Sequence, residues 1–222
     1  MAFILNIETS TKNCSVSLSE NGKVITLKEI NDGNYSHAEK LHVFIDSVLK
    51  ETNITIQQLN AVAISKGPGS FTGLRIGVSA AKGLCFALDI PLISISTLQS
   101  LALQVDTESG TIIPMLDARR MEVYSAVFDI NNNQVREIEA LILDESSFQD
   151  YLEKGQVYFI GDGVPKTKEL ISHPNAIFID DKLPSANEMG MLAFKKFQQN
   201  DFENTAYFEP FYLKNFVANK KK

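Results

Sequence analysis

Histidines and cysteines are the first side chains to test for metal chemistry in this chain of 222 residues. His37 and His42 fall on one predicted helix, but a separation of five residues turns them apart by about 140°. Two metal ligands on one helix need a spacing of three or four residues. His173 precedes a proline in a predicted loop and has no evident partner. We therefore predict no metal site.

Nucleophilic chemistry is equally hard to assemble from these residues. Cys14 and Cys85 match no metal or redox spacing, which favours reduced, partly buried thiols. The sequence contains no Gly-x-Ser-x-Gly elbow of the kind that serine hydrolases use. Asp117-Ala118-Arg119-Arg120, at the end of a predicted strand, is the most reactive-looking cluster, and we favour charge pairing there over catalysis. No residues are predicted to be catalytic.

A glycine-rich segment, Gly67-Pro68-Gly69-Ser70-Phe71-Thr72-Gly73, follows a predicted strand and opens a helix. Backbone N–H groups at such a place are able to hold an anion. Its spacing fits neither a Walker loop nor a dinucleotide fingerprint, so we favour a tight turn whose glycines allow close packing. The alternative is a vestigial nucleotide or anion site formed by Glu8, Thr9, Ser10, Gly67, Gly69, Ser70, Gly161 and Gly163.

The elements that must position these residues occur twice in one order. The first half predicts strands at 4–8, 14–19, 24–29, 61–65 and 92–95, with helices at 36–51, at 72–88 and from 96 or 97. The second half predicts strands at 111–116, 122–128, 135–143, 157–160 and 177–179, with helices at 144–154, 165–172 and 185–198. Ser36 with Glu39, and Ser185 with Glu188, have the spacing of capping boxes.

This duplicated β-β-β-α-β-α-β-α unit predicts an α/β fold of the actin-like ATPase class, which includes sugar kinases and 70-kilodalton chaperones. Two ribonuclease H-like halves would enclose a cleft, the second half being shortened. We place the N-terminal half at 1–105 and the smaller C-terminal half at 106–222, with the last 15 or so residues as a tail able to pack back on the first half. Nucleotide-using members of this class carry Asp and Gly after the first strand, where this chain has Glu8 and no glycine.

The overall charge argues against a protein that binds nucleic acid by itself. The net charge is −6 and the isoelectric point is near 5.2, whereas phosphate binding needs a basic surface. The lysines at 220–222 are the one concentrated basic run, and we interpret them as a solvated end. No apolar run approaches the roughly 20 residues of a membrane span, and the start lacks the basic residues of a signal peptide. We predict a cytoplasmic protein; if RNA is involved, another chain supplies most of the positive surface.

Two predicted helices in the first half are apolar on more than one side. The helix at 72–88 is rich in small residues, and each glycine within a helix costs about 1 kcal/mol relative to alanine. Close approach of another helix would offset that cost. We therefore predict a partner interface on these helices, at His37, Leu41, Phe44, Ile45, Val48, Gly73, Leu74, Gly77, Val78 and Ala81.

Five segments carry a family resemblance. They are Ile7-Glu8-Thr9-Ser10-Thr11 with Cys14-Ser15-Val16, Ser36-His37-Ala38-Glu39-Lys40-Leu41, the glycine segment through Leu74-Arg75-Ile76-Gly77, Leu116-Asp117-Ala118-Arg119 with Glu122-Val123-Tyr124, and Pro210 with Tyr212-Leu213. Together they resemble the TsaB family, the dimerization subunit of the bacterial tRNA threonylcarbamoyladenosine complex. The resemblance covers nearly the whole chain, and the glycine segment is its most specific part.

The resemblance implies a non-catalytic subunit that supports a TsaD-like catalytic subunit through the first two helices. A TsaE-like ATPase joins that pair, and the complex modifies the adenosine next to the anticodon of tRNA. It implies no cofactor of the chain's own, with weak ATP or ADP binding and a homodimer of the lone chain left open. The alternatives are a phosphotransferase of the same fold, for which Glu8 and Asp117 are the only candidate metal carboxylates, and a peptidase.

Overall fold

A computed structural model describes residues 1–33 and 36–214, and it contains the predicted unit twice. The strands are β1 (Phe3–Glu8), β2 (Cys14–Glu20), β3 (Lys23–Ile30), β4 (Ala61–Ser65), β5 (Leu92–Ile95), β6 (Thr111–Asp117), β7 (Glu122–Phe128), β8 (Gln134–Ile142), β9 (Val157–Ile160) and β10 (Ala176–Ile179). The helices are α1 (His37–Thr52), α2 (Phe71–Leu88), α3 (Thr97–Ala102), α4 (Gln149–Leu152), α5 (Val164–Leu170) and α6 (Met189–Gln198).

The two halves form two five-stranded sheets with the same strand order. The first sheet runs β3-β2-β1-β4-β5 and the second runs β8-β7-β6-β9-β10. In both sheets the first three strands are antiparallel and the last two are parallel to the central strand. Antiparallel hairpins need only short turns, whereas each parallel connection passes through a helix. The predicted fold of two ribonuclease H-like halves is confirmed.

The halves exchange their final helices. On the first sheet, α1 and α2 cover one face, and α6, from the second half, covers the other through Met189 and Ala193. In return, α3 from the first half packs on β6 and β7, where Leu98 and Leu101 join the core of the second sheet. The boundary predicted near residue 105 therefore separates the two sheets but not the helices that cover them.

Local capping differs from the sequence expectation at three helices. The hydroxyl of Ser36 makes no cap bond, because its residue has φ −93° and ψ 15° and only its carbonyl accepts the first amides of α1. Ser185 donates instead to Glu29 in the first half, so α6 begins at Met189. The helix expected at 144–154 shortens to α4, since Asp144 forms a local turn with Ser146 and Ser147. The lysines at 220–222 lie outside the described residues.

Candidate functional site: the outer face of α1 and α2

The predicted interface residues on α1 and α2 face the chain's own sheet. Nine of the ten are buried within the fold, and the remaining one, Phe44, is half-buried against the same core. The nine are His37, Leu41, Ile45, Val48, Gly73, Leu74, Gly77, Val78 and Ala81. The prediction that these nine side chains contact a partner stays a prediction, since internal packing already buries them in the chain alone. It selected the apolar stripe that any helix of an α/β layer must bury on its sheet.

The opposite face of α2 forms an open groove. It encloses about 750 Å³ and is lined by His42 of α1 together with Phe71, Thr72, Arg75, Ile76, Ser79, Ala80, Gly83 and Leu84 of α2. These α2 residues recur every three or four positions, which places them on one side of the helix. The groove lining was missed from sequence, although a rotation of α2 away from its buried stripe would have indicated these positions.

The glycines of α2 separate the two faces. A Cβ on Gly73 would lie 2.1 Å from the Thr9 carbonyl oxygen, and one on Gly77 would lie 2.2 Å from the Thr9 hydroxyl oxygen. Both glycines are therefore required by packing inside the chain. A Cβ on Gly83 would meet no atom within 4 Å. Gly83 weakens the helix without any internal packing reason, which favours an external one.

Apolar side chains extend the exposed surface of these helices. Phe86 of α2 is 88% exposed and Val43 of α1 is 56% exposed. Among the described residues, α2 is the one helix with the length and composition of a membrane span, at a mean hydropathy of 1.2. Its inner face packs on β4 in the manner of a core helix, so this is weak support for membrane insertion. An unpartnered apolar surface of this kind is typical of a docking site.

The glycine segment before α2 is closed by packing. The amide of Ser70 donates to the Ser10 carbonyl at 2.6 Å, and the amide of Gly67 donates to the Thr97 hydroxyl at 3.1 Å. The Ser70 hydroxyl caps α2 by accepting the amide of Gly73. A Cβ on Gly69 would lie 2.4 Å from the Ser10 carbonyl oxygen. The amides of Gly67, Ser70 and Gly73 are therefore engaged within the chain, while Gly69, Ser70, Phe71 and Thr72 line a cleft between the halves.

Glu8 lies fully buried at the end of β1. Its Oε1 accepts the amide of Ser10 at 2.6 Å, while no described group bonds to Oε2. Burial raises the pKa of Glu8 above its ordinary value, and hydrogen bonds from Ser10 and Ser65 oppose this rise only in part. A carboxyl group in this setting does not reach the cleft to bind a metal–nucleotide complex.

In the second half, the segment Gly161-Asp162-Gly163 packs closely against the end of β6, as the glycine segment of the first half packs against the turn after β1. A Cβ on Gly161 would lie 2.1 Å from the Met115 carbonyl oxygen, and the amide of Gly163 donates to the same oxygen. Asp162 accepts the amide of Asp117 at 2.8 Å. The predicted anion residues of both halves thus hold the ends of β1 and β6 in place. Anion binding by them stays a prediction.

The cluster at Asp117-Ala118-Arg119-Arg120 forms the turn between β6 and β7. Lys166 donates to Asp117 at 2.6 Å and to the Arg120 carbonyl at 2.5 Å. Asp117 also accepts the amide of Arg119. The interpretation of this cluster as charge pairing agrees with these contacts, which leave Asp117 engaged in holding the turn.

The C-terminal residues 203–214, here called the strap, cross the first half and reach the second. Glu203 bonds to Leu92 and Ser94 at the edge of the first sheet, and the amide of Phe211 donates to the Lys66 carbonyl at 2.7 Å. Lys214 then pairs with Glu122 of β7. Residues 211–214 line one wall of a cleft of about 320 Å³ between the halves. Sequence analysis expected a tail on the first half but not this crossing.

The histidines and cysteines form no metal-binding cluster among the described residues. His37 is buried with its Nε2 2.8 Å from the Thr11 carbonyl oxygen, and burial lowers its pKa, whereas His42 is exposed at the groove. The two histidines thus face different sides of α1, as their spacing predicts. Both cysteines are buried free thiols, and burial raises the pKa of each to about 11.

The sequence of the chain is similar to those of proteins that act in tRNA threonylcarbamoyladenosine biosynthesis. A family model described as tRNA N6-adenosine threonylcarbamoyltransferase matches residues 32–222. The tRNA threonylcarbamoyladenosine biosynthesis protein TsaB of Escherichia coli is 30% identical, covering 98% of this chain and 97% of its own. The TsaB protein of Bacillus subtilis is 32% identical, covering 76% of this chain and 74% of its own.

A solved structure and a catalytic relative extend the comparison. YeaZ from Pseudomonas aeruginosa superposes with a TM-score of 0.83 at 26% identity, covering 96% of this chain and all of that one. The tRNA N6-adenosine threonylcarbamoyltransferase of Bacillus thuringiensis is 35% identical over 41% of this chain and 31% of that enzyme. The likeness is therefore nearly complete for TsaB proteins and partial for this transferase.

Proposed function

Because the chain belongs to the TsaB family of tRNA threonylcarbamoyladenosine biosynthesis proteins, we propose that it is the accessory subunit of a cytoplasmic tRNA threonylcarbamoyltransferase complex. In this role it binds a TsaD-like catalytic subunit and supports its activity without catalysing the transfer itself. A TsaE-like ATPase joins through the pair, and tRNA is met beside the catalytic subunit. The net charge of −6 supports the indirect contact with tRNA.

The groove on the outer face of α1 and α2 is the observation that carries this proposal. Its lining combines partly buried apolar side chains with small residues, so a partner helix is able to approach α2 closely. Gly83, which has no packing role inside the chain, lies in this lining. We assign the groove to the catalytic subunit. In its absence, the same surface is the place where a second copy of this chain would pair.

The phosphotransferase alternative draws no support from its candidate carboxylates. Glu8 is buried with its Oε1 bonded to the amide of Ser10, and Asp117 is engaged by Lys166 and the amide of Arg119. Asp117 lines the cleft between the halves, but its Oδ1 is taken by these two donors, and Glu8 is not part of the lining, so the carboxylates offer a metal–nucleotide complex little. The peptidase alternative draws no support from the cysteines either, since both are buried and burial raises the pKa of each thiol to about 11, which disfavours the nucleophilic thiolate.

The test places a charge in the groove. Ser79→Glu changes an exposed groove residue, and Ser172→Glu, after α5, makes the same change on an exposed surface elsewhere. Each purified chain is mixed with the catalytic subunit of the same organism and measured by light scattering and by tRNA modification. We expect Ser79→Glu to weaken binding by roughly 100-fold, because the carboxylate must lose its water, and Ser172→Glu to bind as the wild type does.

Two results would contradict the proposal. Failure of the wild-type chain to bind the catalytic subunit or to raise its activity would reject the accessory role. Equal binding by Ser79→Glu and Ser172→Glu would keep that role but move the contact away from the groove. Circular dichroism and thermal unfolding of each variant verify that the fold is intact, as expected for exposed sites.

A further inference from the structure

One cation at the end of the groove has its orientation fixed but no acidic partner. The Arg75 guanidinium lies 4.0 Å from the centre of the Phe71 ring, and its Nε donates to the Tyr212 hydroxyl at 3.2 Å. Arg75 is exposed and lines the groove. Within residues 1–33 and 36–214, no carboxylate forms an ion pair with it. Its two terminal nitrogens therefore have no protein acceptor there.

The strap holds Arg75 in this orientation. The Tyr212 ring packs against Phe71 at a tilt of 39°, with ring centres 5.1 Å apart, and the neighbouring Phe211 amide donates to the Lys66 carbonyl. Lys82, about two turns further along α2, donates to the carbonyls of Ala206 and Phe208. These bonds keep Tyr212 beside α2. A guanidinium fixed in this way loses less conformational entropy on binding than a free arginine does.

The other cation of α2 is already used. Lys82 directs its ammonium group at two strap carbonyls, whereas Arg75 keeps its terminal N–H groups for a ligand outside the chain. A planar guanidinium favours a carboxylate, which accepts two parallel hydrogen bonds from it. The groove beside Arg75 is largely apolar, so a partner docked there would exclude water from part of this contact and strengthen it.

We propose that Arg75 binds a carboxylate side chain on the helix of the catalytic subunit that occupies the groove, and that Tyr212 of the strap positions Arg75 for this contact. The inference rests on the proposed accessory function and adds the partner's chemistry: an apolar helix with an Asp or Glu at the end that meets Phe71. The C-terminal strap thereby becomes part of the docking surface.

Binding of the full chain to the catalytic subunit, measured over a range of NaCl concentrations, tests this contact. We expect Arg75→Gln to weaken binding at least roughly tenfold and to flatten its salt dependence, since a charge pair that salt weakens is lost. Tyr212→Phe keeps the ring and removes the hydroxyl, so we expect a smaller loss of roughly two- to fivefold. Lys195→Gln removes an equal charge from an exposed position of α6, and this variant should bind as the wild type does.

Zero-length crosslinking identifies the acceptor. Arg75→Lys retains the charge and gives a primary amine that a carbodiimide joins to a neighbouring carboxylate, and mass spectrometry of the complex then locates the joined residue. We expect an Asp or Glu of the catalytic subunit. A crosslink to a second copy of this chain would overturn the choice of partner.

Failure of this inference is distinguishable from failure of the proposed function. If wild type binds the catalytic subunit and Arg75→Gln binds equally well with an unchanged salt dependence, the contact is rejected and the accessory role stands. If Arg75→Gln is weaker but the salt dependence is unchanged, Arg75 acts through packing on Phe71 and the carboxylate is rejected. If the wild type does not bind, the accessory role itself fails.

Discussion

The two faces of α2 contain the same kind of residue for opposite reasons. On the inner face, Gly73 and Gly77 let the helix lie against Thr9 at the end of β1, at a distance that no side chain would allow. On the outer face, Gly83 stands in open space beside the exposed Ser79. The inner glycines are explained by the fold, whereas the outer glycine needs a partner to explain it. A small-residue helix therefore identifies an interface only after its internal packing has been accounted for.

Gly77→Ala should produce the largest effect on the inner face. The new methyl group would lie 2.2 Å from the Thr9 hydroxyl oxygen and 2.9 Å from Ile64, so the helix must shift. We expect a loss of roughly 1–3 kcal/mol in the free energy of unfolding, measured by urea denaturation. Thr9→Ala in the same chain should recover part of this loss. A Gly77→Ala variant as stable as the wild type would show that the inner face is not tightly packed.

Glu8→Gln tests the buried carboxyl group at the end of β1. Burial raises the pKa of Glu8 in the folded chain above its ordinary value of 4.5. Between the pKa of the unfolded chain and that of the folded chain, Glu8 is protonated only in the folded chain. The free energy of unfolding should therefore fall as pH rises through that range. Glu8→Gln cannot ionise and should remove this fall, so its advantage over the wild type grows toward pH 8.

Chemical denaturation between pH 4.5 and pH 8 measures this difference. Glu145→Gln is the matched control, because Glu145 is exposed in the turn before α4. The free energy of unfolding of Glu145→Gln, plotted against pH, should run parallel to that of the wild type. Parallel curves for Glu8→Gln as well would mean that Glu8 titrates alike in the folded and unfolded chains.

Gly83→Ala should have the opposite sign to Gly77→Ala. The methyl group meets nothing, so the isolated chain should gain up to about 1 kcal/mol of stability from the better helix former. Binding to the catalytic subunit should weaken at the same time, because the methyl group holds the partner helix away. Thermal unfolding and binding measured on one preparation compare the two effects. Unchanged binding would remove Gly83 from the docking surface.

Lys82→Met should give the smallest change. Methionine retains most of the side-chain length but loses the bonds to the Ala206 and Phe208 carbonyls, which lie near the surface. We expect under about 1 kcal/mol of lost stability. Limited proteolysis should cut the strap sooner in this variant than in the wild type. Equal cleavage would show that Phe208 and Phe211 hold the strap without Lys82.

The sequence was sufficient to predict the repeated unit because strands and helices of this kind are set by local periodicity. The helix at 72–88 and the strands at 61–65, 92–95, 122–128 and 157–160 lie within one residue of the observed elements. The family resemblance rests on short motifs that survive in order along the chain. The apolar stripe of each helix was also visible in the sequence; it packs on the sheet, and its use as a partner interface stays a prediction.

Capping failed as a prediction for a physical reason. Ser36 and Ser185 have capping-box spacing, yet Ser36 adopts a backbone geometry that turns its hydroxyl away, and Ser185 finds a long-range partner in Glu29. Local hydrogen bonds compete with tertiary ones of similar strength, and the sequence contains no information on which partner lies nearer in space.

The sequence by itself determined the two sheets, their strand types and the family to which the chain belongs. Only the tertiary structure decided that α3 and α6 cross to the opposite sheets, that the glycines at 69, 73 and 77 close on the turn after β1, and that the strap places Tyr212 beside Arg75. Periodicity depends on neighbours a few residues apart. These arrangements depend on contacts between segments far apart in the sequence, such as Arg75 and Tyr212, which are 137 residues apart and which only the folded chain brings together.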